Sequence, residues 1–419
     1  MRNIRKNGAV ALIAGAFLLG PGGDAEAGGF FVRQQSTSAQ SSAFAGASAR
    51  GVDPSHMFYN PATIADNPGA NLTIDARIFF PEADISVGSA TSLLGQNVTR
   101  RGDSGGMADP AVAPGLFGSM ALSENWFVGV GVTAPFAVVI ETNPTWAGQF
   151  QLVRTDMTTY NVNPVLAWRA LPGLTISGGL QVQHFEVDLR KTEILPVGFF
   201  VFAEALGFLQ AEDTGVGATA GVLLEPADGI RIGFGYRSSI NHDLEGSAGV
   251  DLTGVPVDTA FTDVTLPQVA SLGIETRLTD WLTILAEIQW VDWSVFKGFV
   301  IDFGSGRPTE IRAQEWRDTW FYSGGARIKL GERTELSAGV SYDQGISTGS
   351  GNTLSPDGNR KGVSLGLNHD FSERVSANLS YMHLYLADSA VDTRNQSGTL
   401  LANFDSDLDI VGFSVTFKR

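Results

Sequence analysis

The sequence holds five histidines, His56, His184, His242, His369 and His383, and no cysteine. None of the five stands in a recognisable nucleophile motif or at metal-ligand spacing, so acyl transfer and metal-assisted hydrolysis lack a constellation to run on. The missing cysteines exclude a disulfide framework and thiolate metal sites. No metal, no cofactor and no enzyme activity are expected. What the side chains offer is recognition. Arg190 and Lys191 precede a run that includes Leu195, Phe199, Phe200, Phe202 and Phe208, and Lys297 follows Trp293 and Phe296. A cation beside apolar surface suits a molecule that carries a carboxylate on a hydrocarbon body, because ammonium and guanidinium groups make charge-assisted hydrogen bonds to carboxylates. The alternative for each base is an acidic partner on the same chain or at a membrane surface.

The elements that must position these residues are strands. Leu336, Ala338, Val340 and Tyr342 alternate with Glu335, Ser337, Gly339 and Ser341. Val375, Ala377, Leu379 and Tyr381 do the same with Ser376, Asn378 and Ser380, as do Val411, Phe413, Val415 and Phe417 with their neighbours. Period two places one set on each face of a strand. Short polar turns at 123–125, 171–173, 226–229, 279–280, 331–333 and 372–374 recur at intervals of roughly forty to fifty-five residues, each centred in a hairpin. Between hairpins the connections are much longer. Short turns on one side and long loops on the other describe a transmembrane antiparallel β-barrel. The spacing predicts about fourteen strands, at 70–81, 113–122, 126–139, 157–169, 174–188, 216–225, 230–242, 267–278, 282–296, 317–329, 335–344, 361–371, 375–386 and 407–418. An even number closes the sheet and leaves no edge to meet lipid. Trp126 and Trp281, just after short turns, fit an aromatic girdle.

Composition agrees. With 43% hydrophobic and 17% charged residues and 50 glycines, the chain suits a membrane barrel better than a soluble domain, and its net charge of −16 gives it no electrostatic reason to bind nucleic acid. Residues 1–27 read as a signal peptide: Arg2, Arg5 and Lys6, then an apolar run over 9–19, then the small-x-small site Ala25-Glu26-Ala27. That run is too short to span a bilayer as a helix. Residues 28–69 follow without strand periodicity and are read as a plug, or hatch, inside the barrel formed by residues 70–419. The small-residue tract 36–50 has little with which to build a core of its own. Phe30, Phe31 and Phe44 are placed to face an apolar passage.

Two prolines mark local geometry. Asn60-Pro61-Ala62 is a turn former, since proline fixes φ and restricts its predecessor; an ordinary surface turn is the alternative to a hatch contact. Pro135, with Phe136 after it and Gly129 and Gly131 before it, cannot donate to a sheet ladder and marks a defect in the third strand, unless it lies at the strand's rim. The apolar run at 189–215 reads as an external loop with a binding surface, or as a loop folded back over the barrel mouth.

The chain resembles the FadL-type family of outer-membrane transporters for long-chain fatty acids and other hydrophobic compounds, which includes TodX-like aromatic hydrocarbon channels. The resemblance runs over the whole mature chain. It rests on Asn60-Pro61-Ala62, Trp146-Ala147-Gly148, Gly235-Tyr236-Arg237-Ser238, Leu266-Pro267, Asp292-Trp293-Ser294 with Phe296, Ser355-Pro356-Asp357-Gly358-Asn359-Arg360, and Ser380-Tyr381-Met382-His383. It implies a fourteen-stranded barrel, an N-terminal hatch blocking the bore, and a kinked third strand through which ligand leaves sideways. The expected partners are a long-chain fatty acid or other hydrophobic small molecule, outer-membrane lipid and lipopolysaccharide, and the barrel assembly machinery; the expected state is a monomer. Two basic residues follow the final aromatic Phe417, a departure from barrels that end on the aromatic itself. Nothing resembles a nucleotide-binding loop, so transport is expected to be passive. The readings kept beside it are an aromatic or other hydrocarbon channel, a general porin for polar solutes, and a barrel enzyme.

Overall fold

The computed structural model describes residues 29–198, 201–346, 357–395 and 397–419. The expected signal peptide, residues 1–27, therefore lies outside the described residues.

Fourteen antiparallel strands close into one barrel. They are β1 (Ala70–Ser92), β2 (Ala111–Ala121), β3 in two pieces (Trp126–Thr133 and Ala137–Glu141), β4 (Arg154–Leu171), β5 (Leu174–Gly198) and β6 (Val201–Ala227). Next come β7 (Ile230–Arg237, then Ile240–Val250), β8 (Asp258–Leu266, then Val269–Arg277), β9 (Leu282–Val291) and β10 (Thr319–Lys329). The wall ends with β11 (Thr334–Asp343), β12 (Arg360–Ser372), β13 (Val375–Leu386, continued by Ser389–Asn395) and β14 (Gly398–Lys418). Closure comes from β1 against β14, paired from Asn71↔Lys418 to Ser92↔Gly398 with one bulge between Val87 and Ser89. Each neighbour along the chain pairs antiparallel, so outside the break in β3 described below the ladder satisfies the spanning backbone without water.

The period-two pattern is realised as two faces. On β4, Tyr160, Val162, Leu166 and Trp168 are exposed on the outside, while Thr159, Asn161, Asn163, Val165 and Ala167 are buried within. Trp126 stacks on Trp168 at 5.6 Å beside the short turns, and Trp281 is likewise exposed. Rings of this kind sit well at a lipid headgroup boundary.

All six short turns join the strands they were expected to join, but several strands run further than expected. β5 and β6 continue past 188 and begin before 216, so residues 189–198 and 201–215 are the upper parts of two long paired strands and not an irregular loop. β1, β7, β8 and β14 extend in the same way. The cause is chemical. Beyond Val182 the outward positions of β5 become His184, Glu186, Asp188 and Arg190, so the apolar alternation ends where lipid ends while the hydrogen-bond ladder goes on. β9 stops short of its expected end at 296, because Trp293–Val295 forms a tight helical turn.

The N-terminal segment, residues 29–67, is almost wholly buried. It contains one four-residue helix (α1, Thr37–Gln40) and two tight helical turns, Pro54–Phe58 and Pro61–Asp66. Each begins with a side-chain cap: Ser36 accepts from Ala39 N–H, Asp53 from Ser55 N–H and Asn60 from Ala62 N–H, which satisfies donors that a helix start leaves open. With a core this poor in large apolar residues, the segment is held by the wall. Thr37 donates its N–H and its hydroxyl to Asp75 on β1, each at 2.8 Å. Arg33 pairs with Asp343 on β11 at 2.6 Å, Asp66 with Arg231 on β7 at 2.6 Å, and Ser48 donates to Glu287 on β9. Ser364 on β12 donates to Gln40 O, and Gln40 Nε2 donates to Ile410 O on β14 at 3.2 Å.

Candidate functional site

The most irregular part of the wall is strand β3. Its two pieces are separated by Ala134, Pro135 and Phe136, so Pro135 lies inside the strand and not at its rim. The lower piece pairs with β2 up to Leu116↔Val132, whereas the upper piece pairs with β4 alone, from Ala137↔Thr158 to Glu141↔Arg154. Among the described residues, no backbone bond joins β2 to β3 between Val132 and Glu141. Glu141 N–H donates at 3.0 Å to Met107 O, in the connection between β1 and β2. A seam is therefore bounded below by Val132 and above by Glu141. Proline, which cannot donate to a ladder, lies within it.

The groups left open at this break are taken from inside by the N-terminal segment. Val32 N–H donates to Pro135 O at 2.8 Å, and Ala137 N–H donates to Phe30 O at 2.9 Å. Phe31 and Phe136 lie opposite each other as an antiparallel bridge, with ring centroids 5.3 Å apart. Gln35 completes the attachment: its Nε2 donates to Ala134 O and its Oε1 accepts from Ala134 N–H. The segment thus forms a short inner strand across the seam.

Above this contact Phe30 fits into an aromatic cage. Its ring centroid is 5.0 Å from Trp293, 5.5 Å from Phe296 and 5.9 Å from both Phe136 and Trp316. Phe296 stacks on Trp316 at 4.4 Å and meets Phe299 at 5.9 Å. The turn Trp293–Val295 that cut β9 short is what carries Trp293 and Phe296 inward. A second anchor holds the chain just before the cage: Gly29 N–H donates to Asp357 Oδ2 at 2.9 Å. Asp357 also accepts from Ile346 N–H and from Arg360. Burial outweighs these donors and pushes its carboxyl up to about 7.

Asn60 and Pro61 meet the wall lower down. Asn60 Nδ2 donates to Ser48 O at 2.7 Å and to Val222 O on β6 at 2.9 Å, while Oδ1 caps Ala62. Gly221 supplies the space: a Cβ there would collide with Asn60 Oδ1 and press on Pro61. Ala62 is buried, and Phe44 contacts Tyr59 and Phe321. Gly129 and Gly131 of the lower β3 piece give room to Met57.

The expected carboxylate partners are not gathered at one point. Arg190 pairs with Asp188 at 2.7 Å on the outer face, and Lys191 bridges Glu193 and Glu310, each at 3.2 Å. Both bases have acidic partners on the chain. Lys297 is exposed, next to Phe296 of the cage. Of the residues assigned to ligand capture, Phe202 is 51% exposed near the hairpin tip, Leu195 and Phe208 are half-buried, and Phe199 and Phe200 lie outside the described residues. Beneath the hairpin lies a separate apolar cluster that includes Trp146, Phe150, Leu152, Val391 and Phe404, with Ile194 packed against it. It contains the Trp146-Ala147 part of a sequence motif whose role the sequence left open.

Sequence spacing also missed a juxtaposition across the β5–β6 hairpin. His184 Nε2 lies 3.3 Å from Glu186 and 3.8 Å from Glu212 on the exposed outer face. These groups pair with one another, and only strand register could have revealed it.

Comparison with known proteins agrees with this architecture. The family described as "Outer membrane protein transport protein (OMPP1/FadL/TodX)" matches residues 22–418. An outer membrane protein of Neisseria meningitidis serogroup B is 25% identical over 444 residues, covering 94% of this chain and 95% of the relative. The long-chain fatty acid transport protein of Salmonella typhi is 22% identical, covering 85% of this chain and 87% of the relative. The crystal structure of a Pseudomonas aeruginosa FadL homologue superposes with a TM-score of 0.85 at 22% identity, covering 93% of this chain and all of the other.

Proposed function

The chain belongs to the OMPP1/FadL/TodX family of outer-membrane transport proteins, and from that premise we propose that it is a passive channel for long-chain fatty acids or related hydrophobic molecules. Residues 29–67 act as its hatch, and the seam in β3 is its lateral exit. The observation that carries this reading is the inner strand at the seam: Phe30, Phe31 and Val32 occupy the backbone groups of Pro135 and Ala137 that β2 leaves open. One movement of the N-terminal segment then empties the aromatic cage around Phe30 and uncovers the seam together.

The route follows from the placement of apolar surface. Phe202 and the hairpin tip meet ligand outside. The cage of Trp293, Phe296, Phe299 and Trp316 receives it when Phe30 withdraws, and Lys297 at the cage edge stands ready for a carboxylate. Release through the wall between β2 and β3 leads into the bilayer and spares an apolar chain the aqueous periplasm. The hatch keeps the bore shut to polar solutes, which distinguishes this reading from a general porin.

The experiment is uptake of labelled oleate by cells lacking their own fatty-acid transporter, with the wild type, Pro61→Ala and Pro135→Val variants. The wild type restores uptake. Pro135→Val, which returns an N–H to the strand and extends its pairing, loses it. Pro61→Ala tests the hatch against the wall and loosens it. The cage's four aromatic rings also favour a second reading, an aromatic hydrocarbon as cargo, stacked edge-to-face; toluene uptake without oleate uptake selects it.

A further inference from the structure

Arg237 lies on β7 at the inner surface of the barrel and is 7% exposed. A buried guanidinium normally has a carboxylate beside it, because an unpaired charge in an apolar interior is costly. Arg237 has none among the described residues. Its hydrogen-bond acceptors are Phe58 O at 3.3 Å, Asn163 Oδ1 at 3.4 Å and Gln181 Oε1, all neutral, and the Phe58 ring lies under it at 4.4 Å. Carbonyl oxygens and a ring face orient the cation without cancelling its charge. Arg33, by contrast, reaches Asp343 within the same bore, so the barrel supplies acids where it needs them.

The surroundings of Arg237 are those of a binding pocket held shut. It lines a small cavity with Phe31 and Phe136, and with Gln181, Ile240 and Leu266 on the wall. The free space is about 10 Å³, room for roughly one water. Two of its walls, Phe31 and Phe136, are the pair that closes the seam. The backbone of β7 and β8 breaks at the same place, between Arg237 and Ile240 and between Leu266 and Val269. The Phe31–Phe136 wall is therefore the one that the proposed hatch movement would shift, widening the cavity directly behind the exit.

We propose that Arg237 is a receptor for the carboxylate head of the transported molecule, engaged as the hatch opens and before the hydrocarbon tail enters the seam. This rests on the transport reading above and narrows it: the cargo is an anionic amphipath, not a neutral hydrocarbon. The aromatic face of Phe136 receives the first methylenes, and the guanidinium makes the two parallel N–H···O bonds that a carboxylate accepts. The bonds to Phe58 O and Asn163 Oδ1, at 3.3 and 3.4 Å, are long and give way at little cost, while Gln181 stays as a neutral neighbour of the bound head.

The test compares two probes of equal chain length that differ at the head, labelled oleate and labelled oleyl alcohol. Uptake is measured in cells carrying the wild type, Arg237→Met or Arg237→Lys, with folded barrel in the outer membrane confirmed by its heat-shifted gel mobility. The expected result is a fall in oleate uptake of about ten-fold or more for Arg237→Met, the size of one lost charge-assisted hydrogen bond. Oleyl alcohol uptake hardly changes, and Arg237→Lys recovers most of the oleate uptake. Equal losses of both probes would give Arg237 a purely structural role and overturn the inference while leaving the channel in place. Unchanged oleate uptake in Arg237→Met would overturn it too. A folded wild type that moves neither probe contradicts the transport reading itself, and the inference falls with it.

Discussion

Val32 N–H donates at 2.8 Å to the carbonyl of Pro135, so the residue that interrupts the third strand is bonded to the N-terminal segment and not to the neighbouring strand. The partner bond runs the other way, from Ala137 N–H to Phe30 O. Together they make closure of the bore and closure of the wall one event. Shortening the segment so that Phe30 and Phe31 are lost removes both bonds and the ring that fills the cage. The expected outcome is a barrel that still folds and is permanently leaky, seen as sensitivity of intact cells to a large polar antibiotic that the wild type excludes.

Asn60 makes three hydrogen bonds that hold the segment to itself and to β6. Asn60→Ala removes the side-chain donor to Ser48 O and Val222 O and removes a cap. The loss is about 1–3 kcal/mol of hatch docking, which corresponds to roughly five-fold to a hundred-fold in the open fraction. Single-channel recording in planar bilayers should show openings more frequent by about that factor, with unchanged conductance when open.

The glycines of the wall make a related prediction. A Cβ on Gly235 would collide with Tyr59 O, one on Gly233 with Ser48 O, and one on Gly339 with Ser42 O. In each case the obstacle is backbone, which cannot rotate away. Gly235→Val is expected to expel the middle of the segment while the strand itself gains β propensity. The check is protease cleavage near Tyr59 in folded, membrane-inserted protein, slow in the wild type and fast in the variant.

These contacts show what the sequence could and could not convey. The short turns and outward rows such as Tyr160, Val162, Leu166 and Trp168 are local, so the strand number and most lower strand ends were legible. Asn60-Pro61 was legible as a turn because its chemistry is its own. Its meeting with Gly221 and Val222 was not, since those residues lie about 160 positions away. The upper part of the β5–β6 hairpin reads as a loop in the sequence because its outward positions turn polar at His184 and Glu186 while the run after them is apolar. Arg237 belongs to a recognisable motif, but its lack of an acidic partner among the described residues is a property of the folded bore alone.

Two buried groups on the segment's anchors give opposite pH dependences. Asp357 is raised by burial to about 7 in the docked state, against an ordinary value of about 4. Docking is therefore strongest at low pH and weakens as pH rises from about 4 to about 7. His56 donates through Nδ1–H to Ala47 O and accepts at Nε2 from Ser38; burial, helped by Arg50, pushes it down to about 4. Its contribution is complete above about 6.5 and is lost as pH falls toward 4. The wild type should show little net change in open probability between pH 4 and 6.5, because the two oppose. Asp357→Asn should open more on acidification, and His56→Gln should close more. Parallel curves for all three proteins would contradict the assignment.

The central claim is that the inner strand must leave the seam for transport to occur, and the cysteine-free chain allows it to be tested directly. Phe31 and Phe136 face each other in an antiparallel bridge whose flanking bonds make them a close, non-hydrogen-bonded pair, a geometry that suits a disulfide. Uptake of labelled oleate is measured for Phe31→Cys/Phe136→Cys, oxidised and then reduced, beside each single substitution. The account predicts that the oxidised double variant is silent, that reduction restores uptake to the level of the single variants, and that those variants ignore the oxidant. Full uptake with the cross-link formed would show that the segment stays at the seam while ligand passes, and would contradict the account.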